Sequence, residues 1–407
     1  MLTITHPELM AEAINFPAGL RALRIGGAPR PILLIKGTKE MLLTARLNRG
    51  FKMYVVPSTV DGCATVGLIT AFFDDGDEPL ILRTPMFDEF ETRFLRSALL
   101  RPELDVHLFD ELGREFLGYR STISMPLETR LLFEMANFLP FSYEGVRAIQ
   151  DHMPLWFGLR TPTEDANAIS VDFAEPLFPE DIFIGDMRPN HHTYHGSPGH
   201  SQTSLVREEP GAYQERDIVA LLCRVFRPDQ IFLAPLRVTD KEEIADVMVV
   251  TDSHLLLIQA KDSPNTESTL RQTMARKRAH SSQKLKAALG QVKGAVKYVR
   301  SQSPLAFFID DDEHELVVDH LNIATLVVLK ELFNDSFREY GEQILALVND
   351  IHAPCIALDY GELSMYTAHL PSEDLFFEAY YRVINTGIDS GQLPRLRLGM
   401  IAPGGDG

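Results

Sequence analysis

The sequence predicts a two-domain protein of mixed helices and strands, an α/β or α+β chain whose C-terminal half builds a mixed sheet flanked by helices. Three observations lead there. The chain is 407 residues long, and at roughly 100–200 residues per domain that length favours two hydrophobic cores over one. Hydrophobic residues make up 45% and charged residues 24%, the composition of a globular protein with enough apolar surface to bury. One internal stretch, DMRPNHHTYHGSPGHSQTS at 186–204, is rich in Pro, Gly, Ser, His and Asn with no apolar period, and reads as a linker. It leaves an N-terminal α+β domain at 1–185, a second domain at 205–385 and a tail at 386–407.

Periodicity places the elements in order. In the first half, aliphatic runs predict strands at 31–36, 53–57, 65–73, 80–83 and 105–109, and three- and four-residue apolar spacing predicts helices at 89–99, 127–136 and 143–153. FFDDGDE at 72–78 is acidic but lacks the terminal Glu of an EF-hand loop, so it reads as a turn between strands. After the linker, Ile218, Leu221, Leu222 and Val225 predict a helix at 212–226. Strands follow at 231–238, 244–250 and 255–260, then a helix at 283–300, a strand at 323–329, a helix at 342–351 and a strand at 355–358 with a hairpin partner at 365–369.

The chemistry concentrates in EEIADVMVVTDSHLLLIQAKDS, residues 242–263. Its two apolar runs read as strands covered on both faces, so polar residues at their ends need a reason, because burying such groups unpaired costs about 2–7 kcal/mol. A turn centred on Asp252 and Ser253 makes Asp246 and Gln259 cross-strand partners on one sheet face. Lys261, two residues on, shares that face. A divalent ion would make the arrangement sensible: Mg²⁺ takes oxygen ligands and keeps several waters, and Asp246, Gln259 and the backbone carbonyl of Ala260 offer the protein share. Lys261 would orient a water and offset phosphate charge, and Glu215 on the preceding helix offers a further carboxylate.

Glu215, Asp246 and Gln259-Ala260-Lys261, set in a helix-strand-strand-strand-helix order, resemble the PD-(D/E)XK nuclease superfamily. Gln before x-Lys is similar to its Mrr-like restriction endonuclease branch. The resemblance covers about 40% of the chain and implies a restriction-endonuclease-like fold and Mg²⁺- or Mn²⁺-dependent phosphodiester hydrolysis of DNA, double-stranded DNA before single-stranded. It implies Asp246, Gln259, Ala260 and Glu215 at the metal and Lys261 as the catalytic lysine, with Glu208 and Glu209 as alternatives to Glu215. Ala245 stands where the family name has proline, and Gln259 removes a charge that would tighten the ion. A role in restriction or antiphage defence, and a homodimer that cuts both strands, follow from the same resemblance.

Charge supplies a second line of reasoning. The net charge of −18 argues, as a bulk quantity, against nucleic acid or anionic membrane. Residues 271–300, however, hold nine cations and no acid: Arg271, Arg276, Lys277, Arg278, Lys284, Lys286, Lys293, Lys297 and Arg300. Leu285, Ala288, Leu289, Val292, Val296 and Val299 form the buried stripe of the helix expected there, and Gln283, Lys286, Lys293, Lys297 and Arg300 fall opposite. Sets of this kind contact phosphates without reading sequence.

No apolar run approaches the ~18 residues of a membrane span, and MLTITHPELMAEA shows no signal-peptide pattern, so a cytoplasmic protein with no membrane partner is expected. Three widely spaced cysteines exclude a disulfide scaffold and a CxxC zinc site. His191 and His195 have helical zinc spacing, but the neighbouring Pro and Gly make a helix improbable. Two rival expectations remain: a nuclease fold that binds nucleic acid without cutting it, and a regulatory protein acting through a partner or signal sensed by the N-terminal domain.

Overall fold

The computed structural model describes residues 1–16, 18–76, 78–209 and 211–395; the PGGDG end of the expected tail lies outside them. The chain is mixed helix and strand, as expected. Eight strands form the N-terminal sheet: β1 (Gly19–Leu23), β2 (Ile32–Lys36), β3 (Gly50–Val60), β4 (Cys63–Phe72), β5 (Leu80–Pro85), β6 (Glu103–Phe109), β7 (Glu115–Ser124) and β8 (Ile169–Pro176). Their order is β1-β2-β6-β7-β8-β3-β4-β5, antiparallel except for β2 with β6. The edge strands β1 and β5 approach each other, so the sheet curls around the Lys39–Leu47 helix, in which Met41, Leu42, Leu43, Thr44 and Ala45 are all buried. That helix, β1, β7 and β8 are absent from the expectations, because a helix buried all round carries no amphipathic period.

The expected linker is structured. β9 (Phe183–Asp186) and β10 (Ser201–Ser204) pair antiparallel, and the segment between them docks on the C-terminal half. Tyr194 enters that core, while the His195 N–H donates to the Ile231 carbonyl and the His195 carbonyl accepts the Leu233 N–H. Polar composition gave no sign of this backbone pairing.

The C-terminal sheet runs β11-β13-β14-β17-β18, from β11 (Ile231–Leu233), β13 (Val247–Val250), β14 (His254–Lys261), β17 (Asn322–Leu329) and β18 (Cys355–Asp359). β13 runs antiparallel to both its neighbours, β11 and β14, and β14, β17 and β18 are parallel. Between β13 and β14, the Thr251 hydroxyl accepts the Ser253 and His254 N–H groups and closes the turn. Leu255 to Ile258 are fully buried, each worth roughly 1.5–3 kcal/mol. The expected strand at 231–238 is broken at Ala234, whose φ is 48°. Its second part, β12 (Leu236–Arg237), joins β15 (Leu305–Ile309) and β16 (Asp312–Leu316) in a separate small sheet.

Helices Met274–Arg300 and Phe337–Ile351 pack together, the first against β14 and β17 and the second against β18; Gly211–Leu222 lies against β11 and β14. Three expectations need correction here. The basic helix begins at Met274, nine residues before the expected start, and Met365–His369 is no strand: it ends the Tyr360–His369 helix. There Asp359 and Glu362 cap the N-terminus reciprocally, and Leu363, Tyr366 and Thr367 point inward. The tail expected from 386 also begins inside a helix, Glu373–Ser390. Beyond it Leu393 is buried, and Arg395 pairs with Asp359 and Glu362.

Candidate active site

The parallel strands β14, β17 and β18 all end on one edge, the usual place for ligand sites in such sheets. The hairpin brings Asp246 to that edge. Val247 pairs with Ile258, and continuing this register one step sets Asp246 opposite Gln259, as expected from the turn. The Ala260 N–H donates to Asp246 Oδ2 at 2.5 Å. N–H and C=O of one strand residue point to the same side, so the Ala260 carbonyl is directed towards Asp246 as well. The Lys261 carbonyl points the other way and accepts the Lys330 N–H of the chain leaving β17.

Asp246 and Gln259 are buried, at 7% and 4% exposure. The Gln259 amide donates to the Ile244 carbonyl at 3.5 Å, while its Oε1 is buried with no hydrogen-bond partner. An orphaned acceptor of this kind costs about 1–3 kcal/mol unless something fills the place. The half-buried Lys261 side chain makes no hydrogen bond or close ion pair with described residues.

Three carboxyl groups share this edge. Burial, then Asp246 and Glu243, push the Glu215 carboxyl up to about 7 against the attraction of Lys261. Burial also raises Asp246, opposed by the Ala260 N–H and by Lys261. Glu243 is raised by burial and by Asp246. Mutual repulsion of this sort marks a place for positive charge. Of Glu208, Glu209 and Glu215, Glu215 lies on the Gly211–Leu222 helix and feels the charge of Asp246, while the other two precede the helix and are exposed. Glu243 is the residue that sequence reasoning missed; its proximity to Glu215 depends on the hairpin lying against the Gly211–Leu222 helix, which spacing along the chain does not encode.

Among the described residues no trio of His, Cys, Asp and Glu side chains is placed to cage a metal. The donor set at the hairpin is of another kind: one carboxylate, one unpartnered amide oxygen and one backbone carbonyl. All are hard oxygen donors, and they fit Mg²⁺ or Mn²⁺ with water completing the shell.

The basic helix is more committed than its sequence implied. Its stripe from Leu285 to Val299 is buried as expected, but several of its cations are already paired. Lys277 binds Asp74 at 2.5 Å, Arg278 binds Glu78 at 2.5 Å and Asp335 at 3.0 Å, and Lys293 binds Asp350 at 2.6 Å. Arg271 pairs with Glu267 at 2.7 Å. Arg300 donates to the Ile351 and His352 carbonyls at the end of a neighbouring helix. Lys284 donates to the Asp262 carbonyl and to Ser263. Arg276, Lys286 and Lys297 are exposed without an ion pair to a described residue, as is the uncharged Gln283. The expectation of a wholly free cationic face is therefore corrected.

Near the site, Lys39, Arg114 and Arg207 converge on buried Asp217 at 3.2, 2.8 and 2.9 Å. Lys330 meets Glu40 at 3.1 Å. The Lys39, Arg114 and Lys330 pairs bind the first half of the chain to the site-bearing edge, and a cavity of about 60 Å³ remains at the junction, lined by Lys261, Lys284, His280, Lys330 and Asp74 among others. No described helix is long and apolar enough to cross a membrane. Comparison with protein-family models, curated proteins and solved structures finds no match.

Proposed function

We propose that the C-terminal half is a metal-dependent nuclease that hydrolyses phosphodiester bonds in DNA. One observation carries the reading: Asp246, the unpartnered oxygen of Gln259, the Ala260 carbonyl and Lys261 meet at one sheet edge beside Glu215. Asp246, Gln259 and Ala260 would hold Mg²⁺ or Mn²⁺, with Glu215 and Glu243 next to it. Such an ion polarises a phosphoryl oxygen and lowers the pKa of bound water.

The chain's own residues do the rest. Lys261, free of partners among the described residues, donates to the phosphate oxygen on which negative charge grows as water attacks. Glu215, with its carboxyl near 7, is part ionised at neutral pH and accepts the proton that water loses as its oxygen bonds to phosphorus, while the P–O bond to the sugar breaks and the leaving oxygen takes a proton from solvent. A cytoplasmic enzyme that cuts foreign DNA as a pair of subunits is the setting in which this chemistry is most useful.

The test is cleavage of plasmid and linear DNA with Mg²⁺ or Mn²⁺ by wild type, Asp246→Ala and Lys261→Ala. Loss of cleavage in both variants, with DNA binding kept, supports the reading. Binding without cleavage under every metal tried would sink it.

A further inference from the structure

The acidic turn between β4 and β5, read from sequence as a plain connection, does something more specific. Asp74 accepts the Leu80 N–H with one oxygen and Lys277 Nζ with the other. The Asp74 and Lys277 side chains are only 5% and 11% exposed. Four residues on, Glu78 pairs with Arg278. From the start of the Lys39–Leu47 helix, Glu40 pairs with Lys330. Glu40, Asp74, Lys277 and Lys330 all line the cavity reached by Lys261.

We propose that the N-terminal half closes the nuclease-like half to duplex DNA, with Asp74, Glu78 and Glu40 occupying on Lys277, Arg278 and Lys330 the places that backbone phosphates take when DNA binds. The inference rests on the nuclease reading above and concerns its regulation. A carboxylate and a phosphate oxygen offer the same cation the same charge-assisted hydrogen bond, so the two compete for its donors and its charge. The Leu80 N–H fixes the Asp74 carboxylate within its own turn, ready for Lys277 with little loss of freedom. The arrangement is also under tension, because burial together with Glu40 and Asp74 holds the neighbouring Glu331 carboxyl up at about 7. Moving the acidic turn away relieves that crowding, frees Lys277 and leaves Arg278 with Asp335 alone.

Asp74→Asn/Glu78→Gln tests this in the full-length chain. The substitutions keep shape, and the amide introduced at position 74 still has an oxygen for the Leu80 N–H. Binding of a fluorescent duplex is measured in EDTA over a salt series, and cleavage with Mg²⁺. Two recovered phosphate contacts should steepen the dependence of log affinity on log salt by about 2 and tighten binding at least about tenfold, with faster cleavage. Lys277→Gln breaks the same pair but removes the cation, and it should gain nothing.

If wild type cuts and the double variant neither binds tighter nor cuts faster, the closure idea fails and the nuclease reading stands. Equal gains in Lys277→Gln would show that a loosened interface is enough, which also overturns competition for the cations. Tighter binding with no cleavage by either protein keeps the closure and removes the nuclease reading. No binding and no cleavage by any of the three removes both.

Discussion

Asp246 faces Gln259 across the β13–β14 hairpin, one step beyond the Val247–Ile258 pair, and takes the Ala260 N–H on Oδ2. The carboxylate thus ties the strand edge with one oxygen and leaves the other for a ligand. Asp246→Asn separates the two roles: the amide oxygen still accepts from Ala260, and the anionic ligand is gone. We expect unchanged thermal melting and a loss of cleavage of at least about 100-fold. Asp246→Ala, which also abandons the Ala260 N–H, should cost about 1–3 kcal/mol of stability besides. Urea unfolding of the two variants side by side distinguishes these effects.

Gln259 contributes a neutral oxygen that has no partner among the described residues. Replacing it by Glu keeps the position and adds a charge, and ligand charge is a main determinant of affinity for hard cations. Gln259→Glu should bind Mg²⁺ about tenfold more tightly, read as melting temperature against Mg²⁺ concentration. In EDTA the same variant should be less stable than wild type, because it adds a fourth carboxyl to a crowded edge. A variant stabilised in EDTA would contradict the electrostatic description of this edge.

Glu215 gives the site a pH signature. Its folded carboxyl sits at about 7 against an ordinary 4.5, so the folded state keeps a proton that the unfolded chain gives up. Stability from this group therefore falls as pH rises between 4.5 and 7, and the full cost is present above 7. Glu215→Gln should match wild type near pH 4 and exceed it by about 1–2 kcal/mol at pH 8, allowing for solvent screening. Saturating Mg²⁺ should erase the difference by favouring the ionised wild type. Denaturant unfolding at pH 4, 6 and 8, with and without Mg²⁺, measures all three.

What the sequence disclosed, and what it hid, follows from the range of each interaction. The hairpin register was legible because Asp252-Ser253 and the flanking apolar runs fix it locally. The buried stripe of the basic helix was legible from its period, as were the strands at 31–36 and 323–329. Hidden were relations that need two distant elements. Lys277 and Arg278 look like free cations in a run without acid, yet their partners Asp74 and Glu78 lie some 200 residues earlier. Met365 to His369 reads as a strand only until Asp359 and Glu362 are seen to cap a helix. Glu243 is unremarkable in its chain neighbourhood and acquires meaning beside Glu215.

Asp217 shows how firmly the two halves are joined beside the site. Burial disfavours its charge, but Arg114, Lys39 and Arg207 together overcome that and hold the carboxyl far below its ordinary range. Removing the carboxylate leaves buried Arg207 without its ionic partner, while Lys39 and Arg114 keep Asp110, and breaking a buried ionic cluster in this way costs about 3–5 kcal/mol. Asp217→Ala should lose about that much, far more than the exposed Arg338–Glu342 pair, for which less than about 1 kcal/mol is expected. The depressed pKa sets the pH window. The stabilisation is complete above the ordinary value of 3.8, and it declines below it as the unfolded chain takes up the proton. The gap between wild type and Asp217→Asn should therefore be constant from pH 7 to pH 5 and narrow at pH 3. Because Asp217 lies two residues from Glu215 on the same helix, its loss should also disturb cleavage while the duplex affinity of the exposed Lys286 and Lys297 persists. Unfolding curves at the three pH values, with cleavage and binding measured on the same samples, separate a weakened junction from a damaged site.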